Sequence, residues 1–262
     1  MKKIAKIFWV LFFTCSAIVL ISLLAGFWEV SGSIQPFLLP IMAVALFLEL
    51  TSQKSAQSIV ISFGCKDKLH LLCTFILYTL GCLFLNSKGK DGFVESMVFF
   101  LFGHLAYLLF FLRMLPELRT KMVLWYVVAL LVPAVVIPMS FDQPLKLSIV
   151  IGVYIFVLLL LALEGYATLL LSDSIERIDD DDDPDSWNEN DALHRAGSFI
   201  LFGALLFMAS DFIMVIRYLF GIGFKFDMAV VLLLYLAAHV QMAKAVLGLQ
   251  SRFCMFTNVR KK

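Results

Sequence analysis

The sequence predicts an all-α polytopic membrane protein, a bundle of about eight transmembrane helices with both termini in the cytoplasm. Three observations predict it: 61% of the residues are hydrophobic, the mean hydropathy is +0.94, and long apolar stretches recur along the chain. Soluble domains contain only about 45–50% apolar residues. We expect one transmembrane domain over residues 1–262, because helices that span a bilayer need no separate soluble core.

Eight apolar segments are candidate spans, since a helix of about 20 residues crosses the hydrocarbon core of a bilayer. They cover about residues 4–27, 35–50, 69–86, 93–112, 122–140, 146–171, 196–217 and 227–248. The first follows Met1-Lys2-Lys3 as a signal peptide would, but its apolar run is longer and has no cleavage site, so we expect a span.

Prolines shape two of these segments. The second is short, and Pro36 and Pro40 are expected in its first turns, where the missing backbone donor costs little; this allows a tilted or partly re-entrant helix. Pro133 and Pro138 predict a kink in the fifth, which neighbouring helices can accommodate.

Positive charge gives the orientation, because cytoplasmic loops retain Lys and Arg. Fifteen of these residues lie on the side that carries both termini. Only five lie on the other side: Lys88, Lys90, Lys146, Arg217 and Lys225. Both termini are therefore predicted in the cytoplasm, which requires an even number of spans. We expect the plasma membrane if the source is bacterial and the endoplasmic reticulum if it is eukaryotic.

The hydrophilic insert at about 172–195 carries half of the 20 acidic residues. Its run Asp179–Asp183 repels itself, so we expect a disordered, solvated cytoplasmic loop; binding of a cation or a partner is the alternative. It lacks the Gly and Glu spacing of a helix–loop–helix calcium site. The net charge of +1 leaves no basic face, so no nucleic-acid partner is expected.

No metal or cofactor is expected. The five cysteines are odd in number and show no CxxC spacing, which argues against a disulfide framework or a zinc knuckle. Among the four histidines, His70 and His194 fall at cytoplasmic ends of spans, away from His104 and His239. A three-histidine zinc site is therefore geometrically poor.

Ionisable side chains inside the bilayer are functional candidates by default, because they are costly unless they face the bundle interior or water. Asp211, His104, His239 and Glu164 are such residues. With a rise of about 1.5 Å per residue, the first three and Cys82 come out about 8–18 Å from the outer boundary, so they could line one cavity. Glu164 lies near the cytoplasmic boundary, where we expect it to reach water.

Helical spacing places several candidates on shared faces. His104 and Tyr107 are three residues apart, and Tyr235 and His239 are four apart, so each pair lies on one side of its helix. Interhelical hydrogen bonds that serve only packing are the alternative role for these residues and for Asp211.

Two sequence motifs carry a family resemblance. The stretch Gly203-Ala-Leu-Leu-Phe207-Met-Ala-Ser210-Asp211 is similar to a Gly-Ala-x-x-Phe-x-x-Ser-Asp motif, and Gly103-His104-Leu-Ala-Tyr107 to a Gly-His-x-x-Tyr motif. Both motifs are typical of the lysoplasmalogenase family of YhhN-like membrane proteins. The chain resembles this family from about residue 36 to residue 245.

Weaker matches and one departure complete the resemblance. Pro36, Tyr154 and the segment from Tyr235 to His239 also fit, although the family usually has Gln in place of this histidine. Family members typically have a Gly-Asp pair in the third span, whereas this chain has glycine followed by Cys82. The aspartate that would partner the one in the Ser-Asp motif is missing.

The resemblance implies hydrolysis of the vinyl ether bond of lysoplasmalogens to a fatty aldehyde and a glycerophospho headgroup. Such hydrolysis is acid-catalysed: protonation at carbon gives an oxocarbenium ion, which water captures. The expected catalytic residues are Asp211, His104 and Tyr107. The expected substrate-binding or cavity-lining residues are Ser210, Cys82, Tyr154, Tyr235 and His239.

The expected partner is a lysophospholipid or another membrane lipid. A protein of another class stays open as the alternative: a catalytically impaired family member that binds or transports lipid without hydrolysing it. Cys82 favours this alternative, whereas the complete Ser-Asp and His-x-x-Tyr motifs favour catalysis.

Overall fold

The computed structural model describes residues 1–53, 65–88, 92–114, 145–176 and 184–259, together with 125, 127 and 129–131. Seven long helices, and no strand, occur in these ranges, and each contains a stretch long and apolar enough to cross a membrane. The prediction of an all-α polytopic membrane protein is confirmed. The helices are α1 (Lys2–Ala25), α2 (Trp28–Gln53), α3 (Cys65–Lys88), α4 (Phe93–Met114), α5 (Leu145–Glu176), α6 (Pro184–Phe220) and α7 (Asp227–Val259).

Helices α1 and α2 form an antiparallel hairpin. Gly26 ends α1 with a φ of 84°, a left-handed conformation that glycine adopts without strain, and its N–H donates to the Leu23 carbonyl. At the other end of the hairpin the Trp9 indole N–H donates to Glu49 Oε2 at 2.8 Å. The hydrogen bond satisfies a carboxyl that the bilayer would otherwise leave unpaired.

Helix α2 is longer than predicted. It begins at Trp28 rather than near residue 35, so Pro36 and Pro40 lie inside the helix and not in its first turns. Its 26 residues are enough to cross a bilayer, which excludes a short re-entrant segment. The helix extends upstream because the tight turn after α1 leads directly into it and Glu29 in its first turn interacts favourably with the helix dipole.

Ion pairs tie two further hairpins at their ends. Between α3 and α4, Arg113 Nη1 lies 3.2 Å from Asp67 Oδ1. Between α6 and α7, Arg217 pairs with Asp227, whose Oδ1 also accepts from the backbone N–H of Met228 at the start of α7. These contacts fix α3 against α4 and α6 against α7 in antiparallel pairs.

Helices α4 and α5 run parallel to each other. Phe93 at the start of α4 stacks on Tyr218 near the end of α6, with 4.6 Å between ring centroids. Leu169 towards the end of α5 lies against Gly197 in the first half of α6. Both helices are therefore antiparallel to α6, and the end of α4 and the start of α5 lie at opposite ends of the bundle.

The predicted span at about 122–140 falls between these two parallel helices. It lies almost entirely outside the described residues, as do Pro133 and Pro138, although 125, 127 and 129–131 are helical. The chain between α4 and α5 joins opposite ends of the bundle. An even number of crossings, on which the predicted location of both termini depends, requires such a connection.

The acidic insert is shorter than predicted. Helix α5 continues to Glu176 and α6 already begins at Pro184, so both ends of the predicted loop at about 172–195 are helical. Pro at the first helical position and Asp185 in the first turn suit a helix start. Residues 177–183, which include Asp179–Asp183, lie outside the described residues.

Glycines bring α5 and α6 close together. A Cβ on Gly165 would lie 2.7 Å from the Leu201 Cα, and a Cβ on Gly197 would lie 2.9 Å from a backbone nitrogen of α5. In membranes, small residues at such positions allow helix backbones to approach closely. This approach positions Tyr154 of α5 beside Asp211 of α6.

We expect Gly165→Ala to lower the free energy of unfolding by about 1–3 kcal/mol, because the added methyl group overpacks the α5–α6 contact. Gly32→Ala is the matched control, since a Cβ there meets no atom within 4 Å. Thermal unfolding of both purified variants in detergent measures the difference. Equal midpoints for the two variants would contradict the close approach of α5 and α6.

Candidate functional site

Four polar side chains from four helices meet in the bundle. The Tyr154 hydroxyl of α5 donates to Asp211 Oδ2 of α6 at 2.8 Å. His104 Nε2 of α4 lies 2.9 Å from the Tyr154 oxygen and 3.4 Å from Asp211 Oδ2. The Tyr78 hydroxyl of α3 lies 2.6 Å from His104 Nδ1. All four side chains are buried, and Asp211 is the most exposed at 8%.

The directions of these hydrogen bonds follow from the bond between Tyr154 and Asp211. Tyr154 has one proton, which it donates to Asp211, so His104 Nε2–H donates to the Tyr154 oxygen. A neutral His104 then accepts from Tyr78 at Nδ1. The chain of donors therefore runs from Tyr78 through His104 and Tyr154 to the Asp211 carboxyl, where it can stabilise a negative charge.

A second polar group lies next to the first. The Tyr107 hydroxyl and His239 Nδ1 are 3.3 Å apart, and Cys82 Sγ lies 3.6 Å from the Tyr235 hydroxyl. The His239 ring stands edge-on to Tyr78, with 4.4 Å between ring centroids, and also to Tyr235 at 4.6 Å. Ring packing thus joins the two groups, although no hydrogen bond between described side chains links Tyr107 to His104.

Glycine and aromatic residues hold the two groups together. A Cβ on Gly103 would lie 2.8 Å from the Tyr78 ring, so the glycine beside His104 leaves the room that this ring occupies. Phe207 of α6 stacks on Tyr78 at 5.7 Å between centroids. The predicted motif positions Gly103 and Phe207 therefore shape the site around a residue, Tyr78, that sequence reasoning missed.

An open cavity reaches Asp211 from the end of the bundle where α1 ends and α2 begins. Its empty space is about 610 Å³ with the open solvent at its mouth included, and it lies between the α1–α2 hairpin and helices α3, α4, α6 and α7. Of the predicted site residues, it is lined by Asp211, Ser210, Cys82 and Tyr235. The Ser210 hydroxyl donates to the Val231 carbonyl at 3.1 Å, so it also fastens α6 to α7.

His104 and His239 do not line this cavity, although their estimated depths matched those of Asp211 and Cys82. They are 1% and 0% exposed, behind the cavity wall. The rise per residue gives the depth of a side chain but not the direction in which it points. Tyr107 and Tyr154 are likewise absent from the lining, so they can affect the cavity only through the residues that they contact.

Glu164 differs from its expected environment. We expected it to reach water near the cytoplasmic boundary, but it is 0% exposed. Helix α5 continues for three further turns to Glu176, which keeps Glu164 within the packed part of the bundle. This expectation was wrong because α6 packs closely on this part of α5, at the adjacent Gly165.

Sequence reasoning missed Tyr78 and the polar mouth of the cavity. Tyr78 lies four residues before Cys82 and thus on the same face of α3, a spacing that could have identified it. Gln35 and Asn86 line the mouth. Uncharged polar residues are common in packed helices, so hydropathy alone does not identify Gln35 and Asn86 as part of a functional site.

The other two histidines lie apart from the site. His70 Nε2 is 2.8 Å from the Ala106 carbonyl, and His194 is exposed. Within the described ranges, no group of three or more His, Cys, Asp or Glu side chains comes together.

The sequence model of the YhhN family matches residues 33–246, from the second turn of α2 into α7. This range contains every residue of both polar groups and excludes α1. Neither a curated protein nor a solved structure matches the chain. Since the family match covers most of the chain, the protein belongs to the YhhN family, which is the lysoplasmalogenase family.

Proposed function

We propose that this protein hydrolyses the vinyl ether bond of lysoplasmalogens, with Asp211 as the acid. One observation carries the proposal: Asp211 lines an open cavity and accepts a hydrogen bond from Tyr154, which His104 and Tyr78 support in turn. Membership of the YhhN family supports the substrate class. An acid near the substrate is what vinyl ether hydrolysis requires.

In the first step, the neutral Asp211 carboxyl gives its proton to the vinyl carbon that is not bonded to oxygen. The double bond supplies the electron pair for the new C–H bond, and an oxocarbenium ion forms at the other carbon. Asp211 becomes a carboxylate as that cation forms. The Tyr154 hydroxyl stabilises this carboxylate through the 2.8 Å hydrogen bond, and His104 and Tyr78 polarise Tyr154 further.

In the second step, the same carboxylate removes a proton from water as the water oxygen bonds to the oxocarbenium carbon. The product is a hemiacetal, which collapses to a fatty aldehyde and releases the glycerophospho headgroup, whose glycerol oxygen takes up the proton of the hemiacetal hydroxyl. Asp211 is protonated again, so the proton balance closes. The Tyr235 hydroxyl lines the same cavity and can hold the water.

These two steps need only one carboxyl, so they do not require the second aspartate that this chain lacks. Asp211 is an acid in the first step and is left as the base that the second step requires. Cys82 lines the cavity at the position where the family usually has aspartate, and its thiol donates weakly to Tyr235. A second carboxyl there would orient the water better, so Cys82 lowers the rate without removing the mechanism.

A lipid-binding or transport protein without catalysis is the second candidate. Cys82 is the observation that favours it, because a thiol accepts a proton from water poorly in an apolar environment. In that case Asp211 and its partners would anchor a lipid in the cavity. Aldehyde release separates the two candidates, since lipid binding alone produces no aldehyde.

We expect Asp211→Asn to abolish fatty aldehyde release from a lysoplasmenyl lipid by the purified protein, because the amide cannot give up the proton. Glu95→Gln is the matched control: Glu95 is an exposed carboxyl in the first turn of α4, so this variant should keep wild-type activity. An Asp211→Asn protein that stays folded and active would exclude Asp211 as the acid.

We expect Cys82→Asp to raise the rate of aldehyde release, since it restores a second carboxyl beside the cavity. Cys82→Ser, which is similar in size and has no carboxyl, is the control and should not raise it. If the wild type and Cys82→Asp are both inert while the lipid still binds, the hydrolase proposal fails and the lipid-binding candidate stands.

We expect Tyr154→Phe to lower kcat about 10- to 100-fold with little change in KM, because the lost donor acts on charge that develops at Asp211 during reaction. Tyr166→Phe is the matched control on the same helix, where the tyrosine is 42% exposed. Steady-state aldehyde release over a range of lipid concentrations gives both constants. A change in KM alone would show that Tyr154 serves only binding.

A further inference from the structure

The mouth of the cavity is polar but uncharged. Asn86 Nδ2–H donates to Gln35 Oε1 over 3.4 Å, which joins α3 to α2 where both side chains line the cavity. Ser31, one turn before Gln35 on α2, lines it as well and is 1% exposed. The Gln35–Asn86 pair leaves an amide N–H group on one residue and an amide carbonyl on the other. A ligand hydroxyl, which both donates and accepts, matches that combination.

The amide pair lies one helical turn outward from the reacting region. Asn86 follows Cys82 by four residues on α3, which corresponds to a rise of about 6 Å. In a glycerol vinyl ether, four single bonds of about 1.5 Å separate the ether-bearing vinyl carbon from the oxygen of the 2-hydroxyl, a span of about 5 Å. A vinyl ether beside Asp211 therefore brings its glycerol hydroxyl to the level of Gln35 and Asn86.

No described residue of the cavity lining is a cation that could pair with a phosphate. Among the residues that the structure describes, its lining contains no Lys, Arg or His, and Asp211 is its one carboxyl. Arg217, at the outer end of α6, is paired with the buried Asp227. A phosphate within the cavity would lose hydration and face a carboxyl without a compensating positive charge, which is costly. Hydroxyl groups incur no such cost.

We propose that Gln35 and Asn86 bind the glycerol hydroxyl of the substrate, and that the protein therefore also hydrolyses neutral 1-alkenylglycerols, which lack a phosphate headgroup. The chemistry rests on the proposed function: water adds to the vinyl ether, and a fatty aldehyde and free glycerol leave. Gln35 and Asn86 determine which lipid backbones are held, and Asp211 acts on the bond that all of these lipids share.

Two substrates of equal chain length test the proposal: a 1-alkenylglycerol and the corresponding lysoplasmenylethanolamine, in mixed detergent micelles. We expect similar kcat/KM values for aldehyde release. A protein that held the phosphate through charge-assisted hydrogen bonds would lose about 10- to 100-fold on the neutral lipid. A loss of that size would overturn the proposal.

Variants of the amide pair test the residues. Gln35→Leu and Asn86→Leu should each raise KM about 3- to 10-fold for both substrates and leave kcat nearly unchanged, as expected for one lost neutral hydrogen bond. Gln241→Leu is the matched control, because this glutamine of α7 is not part of the cavity lining. Unchanged KM values in both mouth variants would contradict the assignment.

Binding of a saturated 1-O-alkylglycerol, which has no vinyl ether to hydrolyse, separates recognition from catalysis. Calorimetry should detect this lipid with the wild type and weaker binding with Gln35→Leu. If it binds in this way while neither vinyl ether releases aldehyde, the hydrolase proposal fails and the recognition proposal stands. If only the phosphate-bearing analogue binds, while lysoplasmalogen is hydrolysed, the recognition proposal fails and the hydrolase stands.

Discussion

The hydrogen bond from Tyr154 to Asp211 is the contact on which the rest of the site depends. A carboxyl inside a bilayer is tolerated only with polar partners, and this one is supplied by a helix other than its own. The α5–α6 glycines allow the helices to come close enough for the bond. His104 is hydrogen-bonded to the Tyr154 oxygen, and Tyr78 is hydrogen-bonded to His104. One buried carboxyl therefore orients α3, α4, α5 and α6.

Much of the fold follows from the sequence because the bilayer imposes simple rules on it. Apolar length predicted the seven described helices, and the two motifs contain three residues of the polar groups, His104, Tyr107 and Asp211. Face and contact were harder to predict. The depth estimated from the rise per residue does not give the direction in which a side chain points. For this reason His104 and His239 were expected in the cavity and are found behind it. Tyr78 was missed because a tyrosine in a span usually indicates packing, and its role depends on partners from other helices.

Helix boundaries were predicted less well than helix existence. The start of α2 was placed at the prolines, because proline favours a first turn, yet the helix passes through both Pro36 and Pro40. In a bundle, packing against α1 and α3 compensates for the two missing backbone donors. The predicted span at about 146–171 agrees with the apolar part of α5, Leu147–Ser172, and the helix continues to Glu176 because a helix need not stop where its apolar residues do.

Residues inside and outside the range that matches the family both line the cavity. Leu23 at the end of α1 and Trp28 and Ser31 at the start of α2 lie outside the range that matches the family, yet they line the same cavity as Asp211. The α1–α2 turn at Gly26 thus joins an additional wall to the part of the cavity that the family match covers. Under the proposed function, exchange of residues 1–32 for those of a relative is expected to alter lipid selection and to leave Asp211 and its partners unchanged.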